Sequence, residues 1–356
     1  MQTRLNFLDY PDMNTKGEIS VMVIYTGGTI GMVIDPATGS LVPVDFDRIS
    51  DQVPELKKFG YNIRSLSFDP VSDSSNIDPE LWVKMAKVIE EHYDAFDGFV
   101  ILHGTDTMSY SASALSYMLE NLRKPVIFTG SQLPIGILRT DGKENLITAI
   151  EIAAFQKDGM PAVPEVCIYF DNKLLRGNRT TKTSAEHFDA FSSPNYPPLA
   201  EVGLHIRFNF GLINYPETEK KIVVHKKFNN NIAVLKLFPG LNRHFVKSVI
   251  NTHGLKALII ETFGSGNAPT YKWFIEELRS FITNGGIILN ITQCHGGTVE
   301  MGLYETSREM LKAGVIGGGD ITSEAAVTKI MHLLGRYENK KTIKSLIDKS
   351  LAGEIS

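Results

Sequence analysis

Ile19 to Tyr25 reads ISVMVIY and runs straight into Thr26-Gly27-Gly28-Thr29-Ile30-Gly31. A short apolar run closed by glycines reads as a buried strand ending in a tight turn. Farther on, Gly98–Leu102 (GFVIL) leads in the same way into His103-Gly104-Thr105-Asp106-Thr107-Met108. Each segment sets a threonine among glycines just past the carboxyl end of a strand, the edge at which open α/β sheets bind ligands. Glycine permits close backbone approach, and threonine brings a hydroxyl that can attack or hydrogen-bond. Together they point to a hydroxyl-based active site without a metal or a thiol.

Outward from these two segments, strand-like and helical patterns alternate. Asp78 and Pro79 signal a helix start, followed by an apolar stripe of Leu81, Met85, Val88 and Ile89. Helical patterns near Tyr110–Asn121 and over Asp141–Phe155 alternate with strands at Pro125–Thr129 and Val166–Phe170. Such βα alternation predicts an α/β fold with a mainly parallel sheet covered by helices. Residues 207–231 break the pattern, and 211–231 reads as a connecting segment between an N-terminal domain (1–210) and a smaller α/β C-terminal domain (232–356). In the second domain Ile232–Leu237, Ala257–Ile260 and Ile287–Asn290 read as strands. Helices are expected near Arg243–Asn251, Tyr271–Thr283, Thr322–Leu334 and Lys341–Leu351. Residues 33–45, punctuated by Pro36, Gly39 and Pro43, read either as a loop that closes over a substrate or as an ordinary surface hairpin.

Composition excludes several classes. A net charge of -4 leaves no electrostatic footprint for nucleic acid. Two cysteines, Cys167 and Cys294, are too few for a disulfide framework. The first 18 residues lack the apolar core of a signal peptide. No apolar run approaches the roughly 20 residues that cross a bilayer. The expectation is a cytoplasmic protein with no membrane partner.

The motifs narrow the chemistry. Thr26–Gly31 does not fit the dinucleotide fingerprint, and neither a phosphate-binding P-loop nor a serine-hydrolase G-x-S-x-G elbow occurs. Thr29 is the sharpest candidate nucleophile. Helix capping explains one polar residue ahead of the next helix, but not the whole run His103–Thr107. His103 itself reads as structural. In Gly177–Thr183 (GNRTTKT), Lys182 is a solvated charge unless it reaches Thr105, in which case it is a candidate base. Asp73-Ser74-Ser75 reads as a turn into a cap, or as a polar cradle for a substrate's ammonium and carboxylate.

Taken together, TGGTIG at 26–31, Asp73–Ser75, HGTDTM at 103–108 and GNRTTK at 177–182 resemble the bacterial-type L-asparaginases, specifically the cytoplasmic type I branch. The segments Gly264–Pro269 (GSGNAP), Thr292–Cys294 and Ala313–Gly318 extend the likeness, which runs from about residue 19 to about residue 350. The resemblance implies a Rossmann/flavodoxin-like N-terminal sheet and a smaller α/β C-terminal domain. It implies Thr29 as the nucleophile on the side-chain amide of asparagine, with Thr105, Asp106 and Lys182 as a second catalytic cluster. Asp73, Ser74 and Ser75, with Thr105 and Asp106, would hold the substrate's α-groups. It also implies a homotetramer built as a dimer of dimers, and no cofactor or metal.

An amide is a poor electrophile and a threonine hydroxyl is protonated at neutral pH. Such chemistry therefore requires an activated hydroxyl, a stabilised oxyanion and a protonated leaving ammonia. For Lys182, burial and a neighbouring Asp106 carboxylate push in opposite directions by similar amounts, so its charge stays open at this point.

Two positions depart from the family's pattern. Leu41 stands where many members carry a tyrosine that supports the nucleophile, which bears on the activation of Thr29. Glu261 stands where some type I members use an arginine in a regulatory asparagine site, alongside Thr292, Gln293 and Cys294. A carboxylate cannot pair with a ligand carboxylate as arginine does, so weak or absent allosteric activation is expected. The competing readings are an asparagine-binding sensor, the amidase component of a tRNA-dependent transamidase, and a non-catalytic metabolite-binding module.

Overall fold

A computed structural model describes residues 4–6, 19–34, 38–39, 41–43, 53–216 and 220–356. By internal contacts the chain divides into two compact units, Met1–Ser193 with Pro197–Val224, and Pro194–Tyr196 with His225–Ser356. The division falls inside the stretch read as a connection. Ile206–Phe208, where the βα pattern breaks, forms a strand of the first unit. Its side chains alternate around an arginine, which hid the pattern.

The strands of the first unit's main sheet and its short hairpin are β1 (Arg4–Asn6), β2 (Ser20–Tyr25), β3 (Met32–Ile34), β4 (Leu41–Pro43), β5 (Asn62–Ser67) and β6 (Gly98–Leu102). After them come β7 (Val126–Thr129), β8 (Val166–Phe170), β9 (Lys173–Arg176), β10 (Ala200–Val202) and β11 (Ile206–Phe208). Among the described residues the main sheet has nine strands in the order β1-β5-β2-β6-β7-β8-β9-β10-β11. Its centre, β5 through β8, is parallel, and the strands outside it run antiparallel. The apolar runs read from the sequence are this parallel centre: β6 and β8 are buried at every position. Strands covered on both faces need that composition. β5 (NIRSLS) escaped the reading because its serines interrupt the apolar run, yet Ser65 and Ser67 are buried.

Three helices of this unit matter for the site. α1 (Pro79–His92) starts as expected, with the Asp78 carboxylate accepting from the Leu81 N–H at 3.0 Å and proline at the first position. α2 (Met108–Met118) follows β6 and is buried at nearly every residue, Ser109, Ser111 and Ser113 included. α3 (Gly142–Ala154) follows β7. The hairpin pairs Met32 with Pro43 and Ile34 with Leu41. It fits the expected hairpin over 33–45, while residues 35–37, 40, 44 and 45 of that segment lie outside the described residues.

In the second unit, β12 (Ile232–Lys236), β13 (Ala257–Thr262), β14 (Ile287–Thr292) and β15 (Ile316–Gly317) form a parallel sheet in chain order. Alternate residues feed two cores: Leu258, Ile260 and Ile288 one face, Ala257, Ile259, Ile287 and Leu289 the other. The first core takes apolar residues from α4 (Arg243–Ile250), α5 (Lys272–Thr283) and α6 (Glu305–Ala313). The second takes them from α7 (Ser323–Arg336) and α8 (Lys340–Ile347). Pro194–Tyr196 belongs here because the Asn195 amide donates to the carbonyls of Gly297 and Asp320 and accepts the Gly297 N–H.

Candidate active site

Register brings the central strands of the first unit to one level. Tyr25 lies opposite both Ser67 and Leu102, and Leu102 opposite Thr129. The chain therefore leaves the sheet at Thr26, Phe68, His103 and Gly130 side by side, which gathers four loops at one edge. Thr26 fastens its turn by donating its N–H (3.0 Å) and its hydroxyl (2.9 Å) to the Leu102 carbonyl. Ser72 donates its N–H back to the Thr26 carbonyl at 2.8 Å.

Glycine is required where these loops touch. Gly27 and Gly28 have φ of 131° and 96°, and a Cβ on either would overlap the backbone of Ser72 or Gly104 respectively. A Cβ on Gly104 would overlap the Ser74 side chain. The segments carrying Thr29, Ser74 and Thr105 thus meet backbone to backbone. Thr29 opens a single tight turn, Thr29–Gly31, and is half-buried.

Thr105 is buried and Asp106 beside it is exposed. A short antiparallel pair, Thr181–Lys182 with Phe191–Ser192, carries Lys182 to them. Its ammonium nitrogen lies 2.8 Å from Thr105 Oγ1 and 2.8 Å from Asp106 Oδ1. The approach to Lys182 is braced from below. Arg176 makes a two-pronged pair with Glu165 at 2.6 and 3.0 Å, buried on both sides, and Thr180 donates to the Arg176 carbonyl. The condition set by the sequence, that Lys182 reach Thr105, is met.

Asp73 caps the turn Ser74–Asn76. Its carboxylate accepts the Ser75 hydroxyl (2.6 Å) and N–H (2.8 Å), and these bonds hold it below the ordinary carboxylate range against the opposing effect of burial. Thr107 donates its hydroxyl to the Ser74 carbonyl at 2.7 Å, tying this turn to the loop of Thr105. Asp73, Ser74, Ser75, Thr105, Asp106 and Lys182 are thereby linked, and Thr29 lies on the loop pressed against them.

His103 is enclosed. Nδ1 lies 2.6 Å from the Gly104 carbonyl, Nε2 lies 2.9 Å from Ser111 Oγ, and Trp82 Nε1 donates to that same Oγ at 3.0 Å. Burial pushes the imidazole down to about 4, offset in part by its bond to Gly104, so it is neutral at neutral pH.

Glu261, Thr292, Gln293 and Cys294 sit at the carboxyl edge of the second unit's sheet. Glu261 Oε1 accepts the Ser323 hydroxyl, and Oε2 is 3.9 Å from Lys236. Gln293 spends its amide N–H groups on the carbonyls of Leu237 (2.6 Å) and Glu261 (2.8 Å). Thr292 donates to the Gly264 carbonyl and accepts the Cys294 N–H. Glu261 and Gln293 meet, but through the backbone of Glu261 and not its carboxylate. Cys294 is free and exposed.

The family model described as Asparaginase, N-terminal matches residues 20–213, and that of the Glutaminase/Asparaginase C-terminal domain matches residues 231–347. The chain belongs to the asparaginase family. It is 44% identical over 348 residues to L-asparaginase 1 of Escherichia coli (strain K12), covering 95% of this chain and 98% of that one. The crystal structure of L-asparaginase I from Vibrio cholerae O1 biovar eltor str. N16961 superposes with a TM-score of 0.87 at 38% identity, covering 95% and 99% of the two chains. The 60 kDa lysophospholipase of Mus musculus is 39% identical over an alignment of 364 positions that covers 95% of this chain but 63% of that protein.

Sequence reasoning missed three residues around this asparaginase-family site. Gln132 accepts from the Thr105 hydroxyl at 3.4 Å and donates to the His187 carbonyl at 3.0 Å. Ser111 and Trp82 fix His103. Nothing in the sequence singled out Ser111 among the four serines of its helix, or distinguished Trp82 from core.

Proposed function

We propose that the protein hydrolyses L-asparagine to L-aspartate and ammonia through an acyl-threonine on Thr29. The observation that carries this reading is the Lys182 nitrogen held 2.8 Å from both Thr105 and Asp106 beside the Gly28–Gly104 contact. Thr29 Oγ attacks the side-chain amide carbon, and its proton is relayed through the Thr105–Lys182 pair to the amide nitrogen, the lysine giving up one proton as it takes up another. Backbone N–H groups of the two glycine-flanked loops stabilise the oxyanion. The C–N bond then breaks, and the departing nitrogen takes up a proton to leave as ammonia. Water attacks the acyl-Thr29 ester, releasing aspartate and restoring the hydroxyl. The Asp73–Ser75 turn, with Asp106, binds the substrate's α-ammonium and α-carboxylate.

The protein acts in the cytoplasm on this small molecule, with neither nucleic acid nor membrane as partner. Among the described residues no helix is long and apolar enough to cross a membrane. It assembles as a homotetramer, a dimer of dimers, which sedimentation of the purified protein checks.

The test of the reaction is ammonia release from L-asparagine by the native protein and by Thr29→Ala. The native chain is expected to release ammonia and the variant to lose about 10⁴-fold or more, the scale on which removal of a nucleophile acts. Equal release by both moves the nucleophile to Thr105, and silence from both favours an asparagine sensor.

A further inference from the structure

His103 takes no part in the reaction proposed above, yet it is buried and both of its ring nitrogens are engaged. A carbonyl can only accept, so the 2.6 Å contact fixes the proton on Nδ1, donated to the Gly104 oxygen. Nε2 is then an acceptor and takes the Ser111 hydroxyl proton at 2.9 Å. That orientation turns the Ser111 lone pairs toward Trp82, whose indole N–H donates at 3.0 Å. The chain runs in one direction: Trp82 N–H to Ser111 O–H to His103 to the Gly104 carbonyl. Each member lies in a packed wall, Trp82 on α1, Ser111 on α2, and the imidazole edge-on to Phe128 of β7 at 5.7 Å.

The Gly104–Thr105 peptide is trans, so its carbonyl and its N–H point in opposite directions. With the carbonyl clamped inward by His103, the Thr105 N–H points away from the interior. No backbone acceptor among the described residues meets it. Gly28, next to Thr29, packs against the backbone of the same loop, a Cβ there falling within 3 Å of Gly104 N, Gly104 Cα and His103 C.

We infer that His103, oriented by Ser111 and Trp82, is a positioning residue that aims the Thr105 N–H at the oxygen of the substrate's carboxamide as it becomes an oxyanion. This rests on the amidohydrolase reading above. The relay acts on the peptide plane and touches neither substrate nor Thr29. A misdirected donor weakens the transition state more than the bound amide, so its loss falls on kcat and leaves KM nearly unchanged.

The experiment compares His103→Asn with His103→Gln, kcat and KM for asparagine being measured with the melting temperature of each. An asparagine amide overlays the position of Nδ1 and can still donate to Gly104; a glutamine amide overlays Nε2 and cannot. His103→Asn is expected to keep kcat within about 3-fold of native and His103→Gln to lose about 30-fold or more, at matched stability and unchanged KM. Equal kcat losses tracking the melting temperature, or a change confined to KM, overturn the inference while native ammonia release leaves the hydrolase reading standing. Silence from the native protein overturns that reading, and this role with it. Should both variants fail to fold, ¹⁵N-histidine spectra of the native enzyme decide: the Nδ1–H tautomer is expected, and the Nε2–H tautomer refutes the clamp.

Discussion

At the carboxyl edge of the first sheet, Lys182 draws together two groups from another loop, and Gly104 of that loop touches Gly28, the neighbour of the half-buried Thr29. At the carboxyl edge of the second sheet, the polar side chains turn back on their own unit. Thr262 donates to Asn290 and to the Ile291 carbonyl, Thr292 to Gly264, Gln293 to Leu237 and Glu261, and Ser323 to Glu261. Both edges come from βα units, and both are rich in Thr and Gly. What separates them is that at the first edge side chains of two distant loops converge on one another, while at the second most of these bonds go to backbone carbonyls. Edge position alone therefore does not make a site.

Two lysines put the same contrast in numbers. Lys182 is 18% exposed and its partner Asp106 is 65% exposed, so their pair is screened and worth about 1 kcal/mol or less to stability. Lys329 and Glu354 are both fully buried at 2.6 Å. The Lys329 ammonium also donates to the carbonyls of Ile347 and Lys349, and Glu354 accepts the N–H groups of Leu351 and Ala352. This second pair fastens the chain's last turn. Replacing each lysine by methionine should divide function from stability. Lys182→Met is expected to lower kcat by about 10²–10⁴-fold, the range of a lost proton-transfer group, with little change in unfolding free energy. Lys329→Met leaves a buried carboxylate unpaired and is expected to cost about 3–5 kcal/mol, with the specific activity of the folded fraction intact. Urea unfolding beside initial rates reads both, and a Lys182→Met enzyme of native kcat would break the comparison.

The next effect belongs to His103. Its folded value of about 4 lies below its unfolded value of 6.5, so the native state excludes a proton that the unfolded chain takes up. Stability attributable to this residue is full above pH 6.5 and falls as pH drops toward 4, by on the order of 3 kcal/mol in all. Urea unfolding at pH 7, 5.5 and 4.5 should show this slope in the native protein and a shallower one in His103→Asn. Parallel slopes would mean that the imidazole is not held neutral.

These contrasts also mark what the sequence could reveal. The parallel centre was legible because strands covered on both faces must be apolar runs, as in Gly98–Leu102 and Val166–Phe170. Asn62–Ser67 was not, because its buried serines interrupt the apolar run. The loops bearing Thr29, Thr105 and Lys182 stood out through glycine, which the backbone contacts between Gly28 and Gly104 demand. Lys182 could be named only conditionally, since a segment 76 residues from Asp106 has no local reason to return to it. Trp82 and Ser111 were illegible because their roles come from crossing helices, and a tryptophan on an apolar stripe looks the same whether or not its N–H is in use.

The smallest expected effect lies at the second edge. A regulatory site for an amino acid there would need a cation to receive its carboxylate. Glu261 offers a carboxylate, with one oxygen taken by Ser323 and the other 3.9 Å from Lys236. The Gln293 amide and the Thr292 hydroxyl already donate to backbone carbonyls, so a ligand would have to displace bonds of 2.6–2.8 Å to use them. Rate against asparagine concentration is therefore expected to be hyperbolic, with a Hill coefficient of about 1, since a ligand with no preferred state shifts no equilibrium. Glu261→Gln removes the charge but keeps the shape and an acceptor for Ser323. It should leave kcat and KM within about 2-fold of native and the curve still hyperbolic. A sigmoid native curve would show that this edge binds a ligand after all, and a curve that becomes sigmoid only in Glu261→Gln would identify the carboxylate as what keeps one out.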